Sequence, residues 1–177
     1  MRERVISDGV VTLRPWRESD LADMVEMCQD AEIVRWTRLP SPYGEDDARR
    51  YLADQSRCAE EGTSFDFTIT DASNDNVLGL ISVRIVGAGI GDVGYFVRAE
   101  AQHRGIGKRS LGLVSLWAHE ELELVRLQIA IRSENVLSRR LAESCGYRYE
   151  GVLRRWLEIK GEHVDAAIYS LLPDEAG

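Results

Sequence analysis

The run from Gly91 to Trp117, GDVGYFVRAEAQHRGIGKRSLGLVSLW, leaves few choices to a chain that carries it. It begins as a strand, because Val93, Tyr95, Phe96 and Val97 are β-branched or aromatic and suit a pleated, half-buried surface. The middle, Gln102-His103-Arg104-Gly105-Ile106-Gly107, is polar and conformationally permissive, which predicts a loop. Leu111, Val114 and Trp117, with Leu113 and Leu116 beside them, then recur at helical spacing. A strand that passes through a glycine loop into a helix N-terminus makes an anion site. The first-turn amides have no intrahelical acceptor, the helix dipole favours negative charge, and glycine lets a ligand approach the backbone. Arg104, Lys108 and Arg109 add positive charge there, on a chain whose net charge is −8.

The spacing excludes the two common phosphate motifs. A Walker loop needs G-x-x-x-x-G-K-[ST], which is absent, and a dinucleotide fingerprint needs a third glycine where Ser110 stands. What remains is Q-x-x-G-x-G from Gln102 to Gly107. The acidic balance argues against general nucleic-acid binding, which wants a basic face, and favours amine-bearing partners. Cys28, Cys58 and Cys145 sit far apart in apolar helical patterns, the expectation for buried free thiols in a reducing cytosol. His119-Glu120-Glu121 lacks the second histidine of a zinc helix, and no other metal spacing occurs. A start charged at Arg2, Glu3 and Arg4, with no apolar run of membrane length, points to a cytoplasmic protein without membrane contact.

The 177 residues suit one domain, 1–177, with a sizeable core. Val10 to Leu13 is extended, and Ser19 or Asp20 caps a helix with Leu21, Met24, Val25 and Cys28 on one face. Ile33 to Trp36 is a short helical piece before the proline-stiffened segment Thr37 to Tyr43. Trp36 and Tyr43 are large for a solvent loop, so that loop is expected to fold over something. Glu45 to Glu61 predicts a helix with Ala48, Tyr51, Leu52, Gln55 and Cys58 inward, stopped at Gly62. Phe65, Phe67 and Ile69 alternate with polar residues as a strand does. Turn residues at 72–76 lead into Val77 to Val86, and Gly87-Ala88-Gly89 turns the chain into Asp92 to Val97. After the long helix come a strand from Val125 to Ile131 and a helix from Asn135 to Cys145 with Leu137, Leu141 and Cys145 aligned. Tyr147 to Ile159 and Val164 to Leu172 form a late pair joined by Lys160-Gly161-Glu162-His163.

In this order and spacing the chain resembles the GNAT superfamily of N-acetyltransferases over nearly its whole length. The Gln102–Gly107 string resembles the family's acyl-CoA pyrophosphate loop. Leu13-Arg14-Pro15-Trp16, the segment Ser133 to Ser138, and Cys145-Gly146-Tyr147 with Glu150-Gly151 resemble further signatures of its Rim-type branch, the ribosomal-protein N-terminal-alanine acetyltransferases. The resemblance implies an α+β fold with a mixed, mostly antiparallel sheet of about seven strands and helices on both faces. It implies a V-shaped split between the fourth strand (Asp92–Val97) and the fifth (Val125–Ile131). Acetyl-CoA is then the acyl donor, its pantetheine arm lying along Tyr95, Phe96 and Val97. Its pyrophosphate takes Gln102 and the amides of Arg104, Gly105, Ile106, Gly107 and Lys108; Asn135 touches the pantetheine, caps the helix it precedes, or does both.

The chemistry the family implies is direct attack by an amine on the thioester in a ternary complex. Ser138 matches a position that can donate a proton near the sulfur; a hydroxyl serving only the helix N-terminus is the other reading. Asp92 is a candidate for holding or deprotonating the amine, or is a solvated strand end. Two departures stand out: Ala142 occupies the place of a common tyrosine acid, and Leu157 that of the Rim glutamate. Glu158, one residue later, should face the other way. The acceptor, a small-molecule amine or a protein N-terminus, is expected in a groove of Trp16, Trp36, Tyr43 and the Lys160–His163 hairpin. His163 itself reads as a surface turn residue. Arg139-Arg140 and Arg154-Arg155 read as solvated faces, one of which reaches the 3′-phosphate. A catalytically silent CoA-binding module, transfer of a larger group such as succinyl, and a homodimer remain alternatives.

Overall fold

The computed structural model describes residues 4–175; the charged start at Arg2 and Glu3 lies outside them. Among the described residues eight strands build one sheet: β1 (Ile6–Ser7), β2 (Val11–Arg14), β3 (Ser64–Asp71), β4 (Val77–Gly87), β5 (Ile90–Val97), β6 (Arg126–Arg132), β7 (Arg148–Ile159) and β8 (Glu162–Leu171). Their spatial order is β1-β2-β3-β4-β5-β6-β8-β7, and only β5 and β6 run parallel. The strand beyond the expected seven is β1, which at two residues has no alternation to read. It pairs with β2 because the Asp8 carboxylate accepts the amides of Val10 and Val11, closing the turn between them.

Five α-helices among the described residues flank the sheet: α1 (Leu21–Cys28), α2 (Ala31–Trp36), α3 (Glu45–Glu61), α4 (Ile106–Glu121) and α5 (Val136–Ser144). Strand alternation sorts them onto two faces. Phe65, Phe67 and Ile69 of β3 join the core beneath α4, where Trp117 meets the two phenyl rings edge-on at 5.5 and 5.1 Å. Asp66, between them in sequence, faces the other way and accepts the Tyr51 hydroxyl of α3 at 2.9 Å. A second core gathers α1, α2 and α3 over Val77 and Leu80. Each fully buried large side chain in these cores contributes roughly 1.5–3 kcal/mol.

Helix ends follow local chemistry. Asp30 caps α2 by accepting the amides of Glu32 and Ile33, and α3 ends at Gly62 in the left-handed region. The expected cap of α1 is different. Asp20 is buried and turns back to the Arg14 guanidinium at 2.7 and 3.0 Å, and accepts the Arg17 amide at 2.9 Å, closing a 3-10 turn over Glu18–Asp20. On α5 Ala142 is fully buried and Leu141 and Cys145 pack partly buried against the core as expected, while Leu137 is exposed. Of the three thiols only Cys28 is buried; Cys58 and Cys145 are partly exposed, and all are free. Among the described residues no helix is long and apolar enough to cross a membrane.

Candidate active site

β5 and β6 pair only from Ile90–Asp92 to Arg126–Gln128. Beyond Asp92 they part, each held by its other neighbour: β5 by β4 as far as Val97, and β6 by β8 as far as Arg132. From Val93 to Val97 one edge of β5 therefore has no strand partner. This is the split that the sequence implied between its fourth and fifth strands. An extended arm laid there can pair with that edge in the manner of an added strand.

The loop closes the wide end of the split. Gly105 takes a φ of +77° as the residue before α4, a conformation that suits glycine, and His103 a φ of +57°. The amides from His103 to Lys108 donate to no acceptor among the described residues; the first helical bond comes from Arg109 to the Gly105 carbonyl. A Cβ on Gly107 would stand 3.0 Å from Leu141 Cδ2, so a bare backbone lets α4 and α5 close against each other.

One cleft of about 1120 Å³ runs from this loop along β5 to the far face of the sheet. Tyr95, Phe96, Val97, Gln102, Gly105, Ile106, Gly107, Lys108, Asn135, Ser138 and Asp92 all line it, and Trp36 closes its other end. Two sequence expectations fall elsewhere. Trp16 and Tyr43 are only 8% and 4% exposed, packed in the second core, where the Tyr43 hydroxyl meets Met24 Sδ at 3.4 Å. An aromatic side chain in a loop serves a core as well as a groove, and here the α1–α3 layer needed filling. Arg104 keeps its amide in the unpartnered run before α4, while the residue also lines a separate pocket with Arg14, Asp75 and Arg98. Arg139 is no solvated charge: it donates to the Tyr169 hydroxyl and the Ser133 carbonyl, whereas Arg140 lines the cleft.

The late hairpin reaches the cleft through Trp156, Leu157 and Ile159, not through its turn. Lys160 and Gly161 form that turn, with φ of +53° and +78°, and His163 already pairs with Glu158 in the ladder. Between Leu153 and Leu157 the register slips, leaving Arg154, Arg155 and Trp156 opposite Asp165, whose carboxylate accepts the Arg155 amide. The bulge re-aims Trp156, which is 60% exposed, into the cleft. Sequence reading missed it, although two adjacent arginines breaking the alternation mark the place. It also missed Asp66, Arg84 and Gln128, which share the cleft.

The polar groups form a cross-strand row: Ser64 beside Arg84, Arg84 beside Asp92, Asp92 beside Gln128. Arg84 donates to Asp92 at 3.0 Å. Burial pushes the Asp92 carboxyl above its ordinary range, against the opposing pull of Arg84 and Gln128. Burial raises Asp66 likewise, against bonds from Ser64 and Tyr51. Asn135 caps α5, its side chain accepting the Ser138 amide at 3.1 Å, so Ser138 stands on the first turn facing the split. The Ser138 hydroxyl lies 2.9 Å from that of Tyr95.

A split parallel pair, a run of free amides at a helix start and a hydroxyl beside the split define an acyl-CoA-dependent transferase. Residues 11–148 match the acetyltransferase (GNAT) domain family, and the chain belongs to it. It is an acetyl-CoA-dependent N-acetyltransferase. It is 27% identical over 142 residues to the "Probable N-acetyltransferase YjcK" of Bacillus subtilis, covering 78% of each chain. Among solved structures, Mycobacterium smegmatis RimJ in complex with a CoA-disulfide superposes with a TM-score of 0.88 at 22% identity, covering 98% of this chain and 90% of the other. The ribosomal-protein-S5-alanine acetyltransferase of Vibrio fischeri gives 0.86 at 19% identity, covering 99% and 100%.

Proposed function

We propose that this enzyme transfers the acetyl group of acetyl-CoA to an N-terminal amine of a protein or peptide by direct attack in a ternary complex. The six unpartnered amides from His103 to Lys108, opening onto the split, are the observation that carries this reading. They supply main-chain donors for a diphosphate at a helix N-terminus, and Lys108 adds a charge. The free edge of β5 holds the pantetheine arm, which brings the thioester past Ser138. Named relatives in fold that act on ribosomal proteins support a protein amine as acceptor, and the net charge of −8 attracts a basic one.

An α-amino group, with a free pKa of roughly 7.7–8.0, is already partly neutral near pH 7. The enzyme's task is then to orient it and to take one proton late. Asp92, raised by burial and facing the cleft, is the group assigned to this work. Leu157 and Ala142 are both buried, so neither the late strand nor mid-α5 offers an acid or base in their place. Glu158 is exposed and away from the cleft.

The Asp92 carboxylate fills as pH rises through its elevated pKa, so kcat/KM for the acceptor should climb across that ionisation. Asp92→Asn is expected to lower kcat/KM about 100-fold and to erase that acidic limb, as a pH–rate profile would show. An unchanged limb assigns the ionisation to another group. The transfer reading itself is tested by a panel of amines and N-terminal peptides with acetyl-CoA, read by release of free thiol. Thiol release at background with every acceptor, alongside intact CoA binding, favours the silent binding module instead. Faster release from succinyl-CoA than from acetyl-CoA favours the larger acyl group.

A further inference from the structure

We infer that Tyr95 is a positioning residue that aims the Ser138 hydroxyl at the departing sulfur. The inference rests on the transfer reading above and adds to it the device that directs a lone serine. The Tyr95 hydroxyl reaches across the split from β5 to α5 and meets two oxygens of one residue: Ser138 Oγ at 2.9 Å and the Ser138 carbonyl at 3.2 Å. A phenol has one hydrogen to give, and a serine hydroxyl has one as well. When the phenol donates to the carbonyl, the Ser138 hydrogen turns back to the phenol oxygen and away from the cleft. When the phenol donates to Oγ, the Ser138 hydrogen is released toward the cleft that Ser138 lines. A sulfur gaining negative charge in the cleft favours the second arrangement, because it gives that hydrogen a charged acceptor.

The rest of the pair is held still. The Ser138 amide is tied to the Asn135 side chain at 3.1 Å, which fixes the backbone that carries the hydroxyl. The Tyr95 ring packs against the core beneath α4, and burial holds its hydroxyl in the neutral, donating form. Two neighbouring positions offer no competing hydroxyl: position 142 is alanine, and the Tyr147 hydroxyl is engaged with Ser115 Oγ at 2.8 Å. In the step itself the amine nitrogen forms the new C–N bond and releases its proton to Asp92 or water. The C–S bond breaks, its electron pair stays on sulfur, and the Ser138 hydroxyl donates a hydrogen bond to that sulfur. The thiolate takes its proton from solvent on leaving, so neither Ser138 nor Tyr95 ends the cycle changed.

The test is a double-mutant cycle on kcat with acetyl-CoA and the best amine from the panel, alongside acetyl-CoA affinity and melting temperature. Ser138→Ala should lower kcat about 30-fold and Tyr95→Phe about 10-fold, the scale of a hydrogen bond to a charged group. Affinity should change less than about 2-fold in each, since the interaction forms only as charge develops. In the Ser138→Ala background, Tyr95→Phe should then change kcat by less than about 2-fold. A merely structural tyrosine would cost the same with or without the serine hydroxyl. That result, or a Tyr95→Phe enzyme as fast as the parent, overturns the assignment and leaves acetyl transfer standing. An unsubstituted protein that acetylates no amine removes both, and shows this before any variant is made.

Discussion

Gly107→Trp is expected to weaken acetyl-CoA binding about 1000-fold, equal to about 4 kcal/mol. Gly107 sits in the first turn of α4 with Leu141 of α5 3.0 Å from where its Cβ would be. A methyl group there displaces the flexible end of a leucine by a few tenths of an ångström, so Gly107→Ala should bind within about 10-fold of the parent. An indole has no room between the two helices and must swing over the amides from His103 to Lys108. Titration calorimetry reads both variants, with thermal unfolding to show that each is folded. Unchanged affinity in a folded Gly107→Trp protein would remove the loop from diphosphate binding, and with it the reading of the whole cleft.

The second large effect is on stability. Asp20→Asn should cost about 3–5 kcal/mol, because it leaves a buried guanidinium without its main counter-charge. Arg14 and Asp20 are 3% and 4% exposed and meet through two bonds of 2.7 and 3.0 Å. Asp75 also accepts from Arg14, at 2.8 Å, but is half exposed, so it offsets only part of the loss. For a chain of this length the melting temperature should fall by roughly 6–20 °C. Arg14→Met with Asp20→Leu, which removes both charges and fills similar volume, should recover much of that loss. A fall of under about 2 °C in the single variant would mean that water reaches the pair.

Much of the fold was legible because the signals were local. Alternation at Phe65, Phe67 and Ile69, the spacing of Leu111, Val114 and Trp117, and Gly62 and Gly146 at helix ends each follow from a few neighbouring residues. The loop at Gln102–Gly107 was legible for the same reason: a row of free amides at a helix start is made by one contiguous backbone run. Asn135 and Ser138, three residues apart in one helical turn, belong with it. Glu158 could be set aside from periodicity alone: it is exposed, while Leu157 and Ile159 on either side of it line the cleft.

Residues that needed a partner from elsewhere were not legible. Trp16 and Tyr43 have the composition of groove residues, yet the α1–α3 layer had a core to complete and took them. Trp156 entered the cleft through a bulge set by Asp165, ten residues from the Arg155 amide it holds. Arg84 and Gln128 became site residues only when strand register lined them up beside Asp92, and Asp66 only when the register set it opposite Ser82.

By itself, then, the amino-acid order determined most of the run of elements, the glycine loop before α4 and the serine at the head of α5, because bonds and periods within about one helical turn specify them. The tertiary structure alone decided where β5 and β6 part, which aromatic rings line the cleft, and that the Tyr95 hydroxyl meets Ser138 across 43 residues of chain. Those outcomes depend on the register of strands and on competition for core volume, quantities that belong to the packed sheet and to no single stretch of sequence.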